Sequence, residues 1–310
     1  MQDDKEACAN FAQGANTSCM AAPKYTTAAV VLNHDDNENT LRLAADFDRF
    51  PSVDLTVVVD NSGTGGLTAI GGKKTVLLSV PNNGYSVGNN AGVKKTDQMG
   101  GAEFIIISNP DVFVGDDAIA ACVAFLRAHP DYALAAPRMH AADGTPHHLA
   151  AWRERTFLCD LAYSAGILSR IVGMRRECYP EEYLKQPAVD VDCVAGSFFV
   201  IRRTALSCTG SFDEHTFLYY EEDILGFKLK RLGLRSALLG ERRFVHCEGA
   251  SVNRSMNYLK KYLAMQKSRL YFHRRYKKTA FPAFAALCLA TALGTVEKTI
   301  KTVYYRAKKD

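Results

Sequence analysis

The feature that most constrains the fold is a repeated unit: a short apolar run that stops abruptly at a polar turn. Ala28-Ala29-Val30-Val31-Leu32 stops at Asn33-His34-Asp35-Asp36-Asn37, and Leu55-Thr56-Val57-Val58-Val59 stops at Asp60-Asn61-Ser62-Gly63. Thr75 to Val80 stops at Pro81-Asn82-Asn83-Gly84, and Phe104 to Ile107 stops at Ser108-Asn109-Pro110-Asp111. Apolar runs of this length, bounded by turn residues, read as strands buried on both faces of a parallel sheet. Pro110 has no N–H to give a ladder, so the fourth strand ends there. Asp111 is left just past the carboxyl end of that strand, where open α/β sheets place their ligands.

Helical segments lie between the strands. Glu38 to Phe50 puts Leu41, Ala44, Ala45 and Phe47 near one face, and a helix is expected from near Val87 toward Thr96. Asp116-Asp117 can cap and charge another helix, through Leu126, and Ala133 to Pro137 is a further short strand. Strands alternating with helices predict a doubly wound, mostly parallel sheet. Met139 to Pro187 is less regular and holds the single tryptophan, Trp152. Val189 to Val200 returns to a strand pattern, Ile224 to Leu232 has helical spacing ending at Gly233, and Phe244-Val245-His246 is a last short strand. Asn257 to Tyr276 reads as a basic amphipathic helix.

Charge divides the chain. Residues from Arg254 onward carry a net +12, and residues 1–253 a net −7. A basic tail on an acidic body points to an anionic partner such as a membrane surface; a solvated basic helix is the plainer alternative. The apolar stretch Phe281 to Val296 is interrupted by Pro282 and Gly294, and is shorter than the roughly 20 residues that span a bilayer. The nine scattered cysteines contain no CxxC, which fits free thiols in a reducing compartment. Residues 1–24 read as a loose leader without a secretory signal. The expected division is residues 25–138, residues 139–253 and a basic helical tail, 254–310.

Each motif has a plain reading beside a chemical one. Asp60-Asn61 is either an Asx turn or a nucleoside contact. The turn Asn82 to Gly92 opens a helix with backbone amides that can approach phosphates or sugars, yet it is neither a Walker A loop nor GxGxxG. Asp111 is a turn acid or a ligand of a diphosphate-bound cation, which needs only one or two protein carboxylates. Glu221-Glu222-Asp223 is helix N-terminal charge or a set of carboxylates that raise one another's pKa, as suits a general base. His246 is structural, or ligates a metal or meets a phosphate.

Taken in order, seven segments resemble the family-2 inverting glycosyltransferases of GT-A fold, particularly bacterial rhamnosyltransferase-like members. They are AAVVLNHDDNENTL, VVVDNSG, NNGYSVGNNAG, FIIISNPDVFV, VDCVAGSFFVIRR, GSFDEHTFLYYEEDILGFKLKRLG and FVHCEGAS, covering Ala28 to about Tyr276. The resemblance implies a hexosyltransferase moving a sugar, rhamnose among the candidates, from a nucleotide-diphosphate donor to a saccharide or lipid-linked saccharide. It implies Mg²⁺ or Mn²⁺ at Asp111, with His246 beside it, and Asn109 in place of the first acid of the family's metal motif. Asn33, Asp60, Asn61, Asn83, Gly84 and Asn90 would line the nucleotide-sugar side, and Gly196, Ser197 and Trp152 the acceptor side. The resemblance likewise implies that residues 25–138 are a nucleotide-binding half and 139–253 an acceptor half. The base falls in the acidic triplet, where the extra acid leaves the register open: Asp223 first, Glu222 next, then Glu221. The implied place is the cytoplasm, peripheral at the inner face of the plasma membrane, with no nucleic-acid partner and the oligomeric state open. A sugar nucleotidyltransferase would carry a Gly-rich basic loop where Asn33 to Asn37 stands. An inactive sugar-binding relative would not need Asp111 and the triplet.

Overall fold

The computed structural model describes residues 22–62, 66–172, 178–247 and 258–307. The leader, apart from its last three residues, therefore lies outside the described residues, as do Gly63, Asn257 and the segment after Cys247. In chain order the elements are β1 (Tyr25–Asn33), α1 (Asn37–Arg49), β2 (Leu55–Asp60), β3 (Thr75–Ser79), α2 (Tyr85–Gln98), β4 (Ala102–Ser108), β5 (Val112–Val114) and α3 (Asp116–Ala128). Then come β6 (Tyr132–His140), β7 (Ala151–Trp152), α4 (Phe157–Ser164), α5 (Gly166–Val172), α6 (Glu181–Leu184), β8 (Val189–Val191), β9 (Cys193–Val194) and β10 (Phe198–Arg202). The chain continues with α7 (Arg203–Cys208), α8 (Glu221–Arg231), β11 (Arg235–His246), α9 (Tyr258–Arg275) and α10 (Phe281–Ala307).

The main sheet has the order β3-β2-β1-β4-β10-β6-β11-β5, with β8 paired to β11. β1, β2, β3 and β4 are parallel neighbours, and β6 is parallel to β11. β10 is antiparallel to both β4 and β6, and β5 and β8 are antiparallel to β11. Alternation along the strands sends side chains to two cores. Val30 and Leu32 of β1 and Ile105 and Ile107 of β4 join Val93 of α2 and Leu225 and Leu229 of α8. Ala29, Val31, Phe104 and Ile106 join Leu43 and Phe47 of α1 and Ile119 and Leu126 of α3. The doubly wound, mostly parallel sheet expected from the sequence is present.

Several boundaries differ, each for a physical reason. Val189 to Val200 is not one strand but three, because the chain turns at Asp192 and again at Ala195-Gly196-Ser197. β11 is much longer than Phe244 to His246. Its exposed middle, Gly240 to Arg243, reads as a loop in sequence but spans a register shift against β6. Gly115, not Asp116, is the cap residue of α3, and the Asp116 carboxylate instead accepts the Ser52 N–H at 2.9 Å. α10 runs uninterrupted for 27 residues. Pro282 sits in its first turn, where no intrahelical donor is lost. A Cβ on Gly294 would lie 2.0 Å from the Ser164 carbonyl, so glycine there permits a close approach to α4. Phe281–Thr302 is thus long and apolar enough to cross a membrane by length and composition, contrary to the sequence expectation. All described cysteines are free.

α9 and α10 pack against each other, and α10 also packs on α4 and α5. Glu297 of α10 accepts the N–H groups of Gly166 (2.7 Å) and Ile167 (3.0 Å), placing a carboxylate at the start of α5.

Candidate active site

The strand ends that looked polar in the sequence meet along one edge of the sheet. Register places Asn33 opposite Asp60. The Asn33 amide donates to Asp60 Oδ1 and to Asn37 Oδ1, both at 2.9 Å, while its oxygen accepts from Thr40 Oγ1 at 2.8 Å. Asn33 is wholly buried. Its polar atoms are therefore spent on joining β1, β2 and α1, which makes it a support for Asp60 rather than a base-contacting group. Asp60 also accepts from Leu67 N at 2.8 Å and Ser62 N at 3.2 Å. Asn61 is buried, and its Oδ1 has no protein partner.

Gly84 adopts φ +105° at the start of α2, and Tyr85 N donates to Phe217 O at 3.0 Å, fastening this turn to the segment before α8. Asn83 is exposed beside it. Asn90 is used structurally: its amide donates to Phe212 O (3.0 Å) and Glu214 Oε1 (2.8 Å) and accepts from Phe212 N (3.1 Å).

β4 ends at Ser108, and the turn that follows holds Asp111 almost buried. His246, at the end of β11, approaches it with Nε2 at 3.2 Å from Asp111 Oδ1, and the Asp111 carbonyl accepts Cys247 N at 3.1 Å. His246 Nδ1 is buried without a protein partner. Arg42 of α1 fastens the turn from outside. Its guanidinium donates to Pro110 O (2.9 Å) and Val112 O (2.7 Å), and lies 3.6 Å above the Phe113 ring. Among the described residues no group of three or more His, Cys, Asp or Glu is gathered as a metal cage. One carboxylate and one imidazole suit instead a cation that takes its remaining oxygens from a diphosphate and water.

The acidic triplet forms the first turn of α8, starting at Glu221 rather than Ile224. The two residues before it, Tyr219 and Tyr220, have φ of 71° and 72°. A left-handed non-glycine residue costs about 1–3 kcal/mol, and such strain persists only when the surroundings enforce it. The three acids face different partners. Asp223 Oδ1 accepts Trp152 Nε1 and Arg155 Nε, each at 3.0 Å. Glu222 accepts the Gly196 N–H at 3.2 Å. Lost solvation, followed by the charge of Asp223, pushes the Glu222 carboxyl up to about 7. Glu221 is buried with Oε1 unpartnered, and lost solvation and the neighbouring Glu222 raise it well above the usual carboxylate range. A Cβ at position 196 would fall 2.3 Å from Glu222 Oε1, so only glycine leaves that carboxylate its place.

Two residues join the halves of this site. Ser197 O accepts Asn109 N at 2.8 Å on the Asp111 side, while Gly196 N–H serves Glu222 on the other. Tyr85 OH donates to Gly196 O at 2.7 Å, bringing α2 into the same joint. The structure thus gathers Asp111, His246, Asn109, Ser197, Gly196, Glu222, Asp223 and Trp152. Arg42 and Arg155 escape a sequence reading. Their partners are 68 to 70 residues away, and no local spacing marks them.

Comparison with known proteins bears on the fold and on the class of the relatives. No protein-family model matches the chain. It is 26% identical over 204 residues, 65% of its length, to the low-salt glycan biosynthesis hexosyltransferase Agl10 of Haloferax volcanii. It is 25% identical over 192 residues, 58% of its length, to the N-acetylglucosaminyl-diphospho-decaprenol L-rhamnosyltransferase of Mycobacterium tuberculosis. The chain spans 61% and 60% of the lengths of these two curated relatives. A crystal structure of GalNAc-T7 with UDP, GalNAc and Mn²⁺ superposes with a TM-score of 0.55 at 12% identity, covering 83% of this chain and 52% of that one. The chain has the GT-A fold, and the curated proteins it is similar to are glycosyltransferases.

Proposed function

We infer that this protein is an inverting glycosyltransferase that moves a hexose or deoxyhexose from a nucleotide-diphosphate donor to a saccharide acceptor carried on a lipid. One observation carries the reading: Gly196-Ser197 hydrogen-bonds the Asn109 to Asp111 turn on one side and Glu222 on the other. The turn that carries Asp111 and the carboxylate of Glu222 are thus tied to the same two-residue link, which supports their serving one displacement at an anomeric carbon.

Glu222 is the base favoured by this geometry, in place of Asp223. A base poised near neutrality best combines an ionised population with driving force, and Glu222 is pushed up to about 7. Asp223 spends an oxygen on Trp152 and Arg155. Glu222 takes the proton from the acceptor hydroxyl. The oxygen then attacks the anomeric carbon opposite the nucleoside diphosphate, whose β-phosphate oxygen receives the electrons of the broken bond. Asp111 and His246 would hold a divalent cation, Mg²⁺ or Mn²⁺, which would supply charge neutralisation for the diphosphate leaving group. Asp60, braced by Asn33, faces the nucleoside, and Trp152 and Ser197 line the acceptor side. The GT-A structure that contains UDP, GalNAc and Mn²⁺ supports the cation and the donor class. The relative named for a decaprenol-linked substrate supports the lipid-linked acceptor.

A lipid-linked acceptor requires a membrane. α10 has one face on the protein, through Leu287, Ala290 and Gly294, and leaves Phe281, Leu289, Leu293, Val296, Ile300 and Tyr304 exposed. A helix packed on one side and apolar on the other, within a segment of net +12, fits an anionic lipid surface. In the basic helix α9, Arg269 and His273 point inward, while Lys260, Lys267, Arg274 and Arg275 stay exposed.

The deciding assay offers a panel of UDP-, dTDP- and GDP-sugars with Mn²⁺ and a polyprenyl-diphosphate saccharide. Transfer from one donor class, with inversion at the anomeric carbon, is the expected result. Retention of configuration, or no transfer from any donor, would sink the reading. Flotation with phosphatidylglycerol vesicles should be lost in Leu293→Asp/Ile300→Asp; unchanged flotation would move the membrane face elsewhere.

A further inference from the structure

Outside the site lies a buried cluster of charge that the reaction does not use. Asp160 of α4, Arg269 and His273 of α9 and Tyr220 before α8 are each 3% exposed or less. Tyr220 OH donates to Asp160 Oδ1 at 2.5 Å and accepts from Arg269 Nε at 2.7 Å. His273 Nε2 lies 2.9 Å from Asp160 Oδ2, and its Nδ1 lies 2.9 Å from Thr279 Oγ1. Arg269 also donates to Ser164 Oγ and Gln266 Oε1, both at 2.9 Å. A buried ion pair gains little over apolar packing in net stability, so stability alone is a poor account of four polar groups placed here.

Their location offers a better one. Tyr220 is the second of two consecutive left-handed residues, and the next residue begins the acidic turn. Arg155 sits between the cluster and the triplet, its guanidinium 5.4 Å from the centre of the Tyr220 ring and its Nε on Asp223. We propose that Asp160, Arg269 and His273 act through the Tyr220 hydroxyl as positioning residues. They hold the Tyr219-Tyr220 backbone in its left-handed form, so that the Glu222 carboxylate is aimed toward Gly196. The role rests on the glycosyltransferase reading for its purpose, while the aiming of Glu222 is a property of the fold alone. Glu222 is faced by Tyr85 of α2, Cys193 of β9, Glu221 and Asp223 of its own helix, and Arg155; the cluster is faced by Arg155 and Asp223. None of these is altered when only the Tyr220 hydroxyl is removed.

The test compares the full chain with Tyr220→Phe, which keeps the ring and loses both hydrogen bonds. Glutamate-¹³C NMR titration reads Glu222 directly, assigned by its loss in Glu222→Gln, and needs no turnover. Its midpoint should move from near 7 toward the ordinary carboxylate range in Tyr220→Phe. The kcat should fall roughly tenfold, of the order that one or two hydrogen bonds contribute, with donor KM unchanged. Tyr262→Phe removes a different buried bond, from Tyr262 OH to Ser164 O at 2.5 Å, and should lower Tm without moving the midpoint. Arg269→Lys, which keeps the charge but not the Nε bond, should repeat the Tyr220→Phe shift should that variant not fold. A folded Tyr220→Phe with an unmoved midpoint overturns the proposal, and so does loss of folding in both variants, which would make the cluster purely structural. A wild type without turnover but with the expected NMR shift would overturn the transferase reading and leave the positioning intact.

Discussion

The donor edge and the acidic turn are held by different means. On the donor edge, Asn33 and Asp60 end neighbouring strands in register, and Asp111 lies in the turn just past the end of β4, the other neighbour of β1. The first two have near supports, since Asn33 bonds residues four and seven places on and Asp60 bonds residues two and seven places on, while Asp111 is held from farther off by His246 and, through its flanking carbonyls, by Arg42. The acidic turn has no strand register to place it. It depends on Gly196, Trp152 and Arg155, which lie 26 to 71 residues earlier, and on Arg269, 49 residues beyond Tyr220. A sheet edge locates its residues by the ladder; a helix N-terminus between loops has to be located by side chains from elsewhere.

The largest effect should come from the least locally supported part. Glu222→Gln should lower kcat by about 10²–10⁴-fold with nucleotide affinity retained by calorimetry, and Asp223→Asn should do less. The reverse ranking would return the base to Asp223. In the wild type, transfer should rise with pH through about 7 as the Glu222 carboxyl gives up its proton; a rate flat between pH 6 and 8 would contradict this.

On the donor edge, Asp111→Asn should weaken Mn²⁺-dependent binding of a nucleoside diphosphate by about 10–100-fold, leaving metal-free binding as it was. Equal losses with and without Mn²⁺ would remove Asp111 from the cation. Arg42→Gln loosens the same turn indirectly, through the Pro110 and Val112 carbonyls. It should raise donor KM roughly tenfold with little change in kcat. A pure kcat effect would place Arg42 with the acidic turn instead.

The smallest effect is one of stability. Burial raises the Asp160 carboxyl, but the His273 hydrogen bond and the charges of Arg269 and Arg155 outweigh it and hold the group below its usual value. Asp213, opposed by burial but hydrogen-bonded by Tyr276, His215 and Tyr271, is drawn down to about 2. Groups depressed on folding contribute stability above their unfolded pKa near 4, and that stability is lost as pH falls through the folded value. Tm should therefore drop between pH 4 and 2, and drop less in Asp213→Asn. A parallel pH profile in that variant would show that Asp213 takes no part.

Sequence reading reached the donor edge because a strand that ends in a polar turn is a local pattern. Asp111 was singled out this way, and Asn109 and His246 through the family resemblance; the structure sets His246 against Asp111 and Asn109 in the same turn. Sequence reading also found the acidic triplet, though not which acid does what, since that depends on Gly196 and Arg155 in space. Asn33 and Asn90 were given contact roles by the family resemblance, and only the structure shows their atoms already engaged. α4 carried a usable signal, Thr156 accepting Cys159 N as its cap, hidden among the charges after Trp152. β11 was missed because a strand with an exposed, charged middle resembles a loop.

The bond from Arg269 to Tyr220 has a consequence for synthesis. Chains emerge from the ribosome N-terminus first, at about 5–20 residues per second. The sheet, the donor edge and even the acidic turn can be complete in sequence while the arginine that secures the turn is still inside the exit tunnel. A nascent chain that has released β11 but not α9 would then hold its donor edge in finished form while its acidic turn still lacks the support that comes from beyond β11, so that the final fixing of that turn is one of the last events of folding.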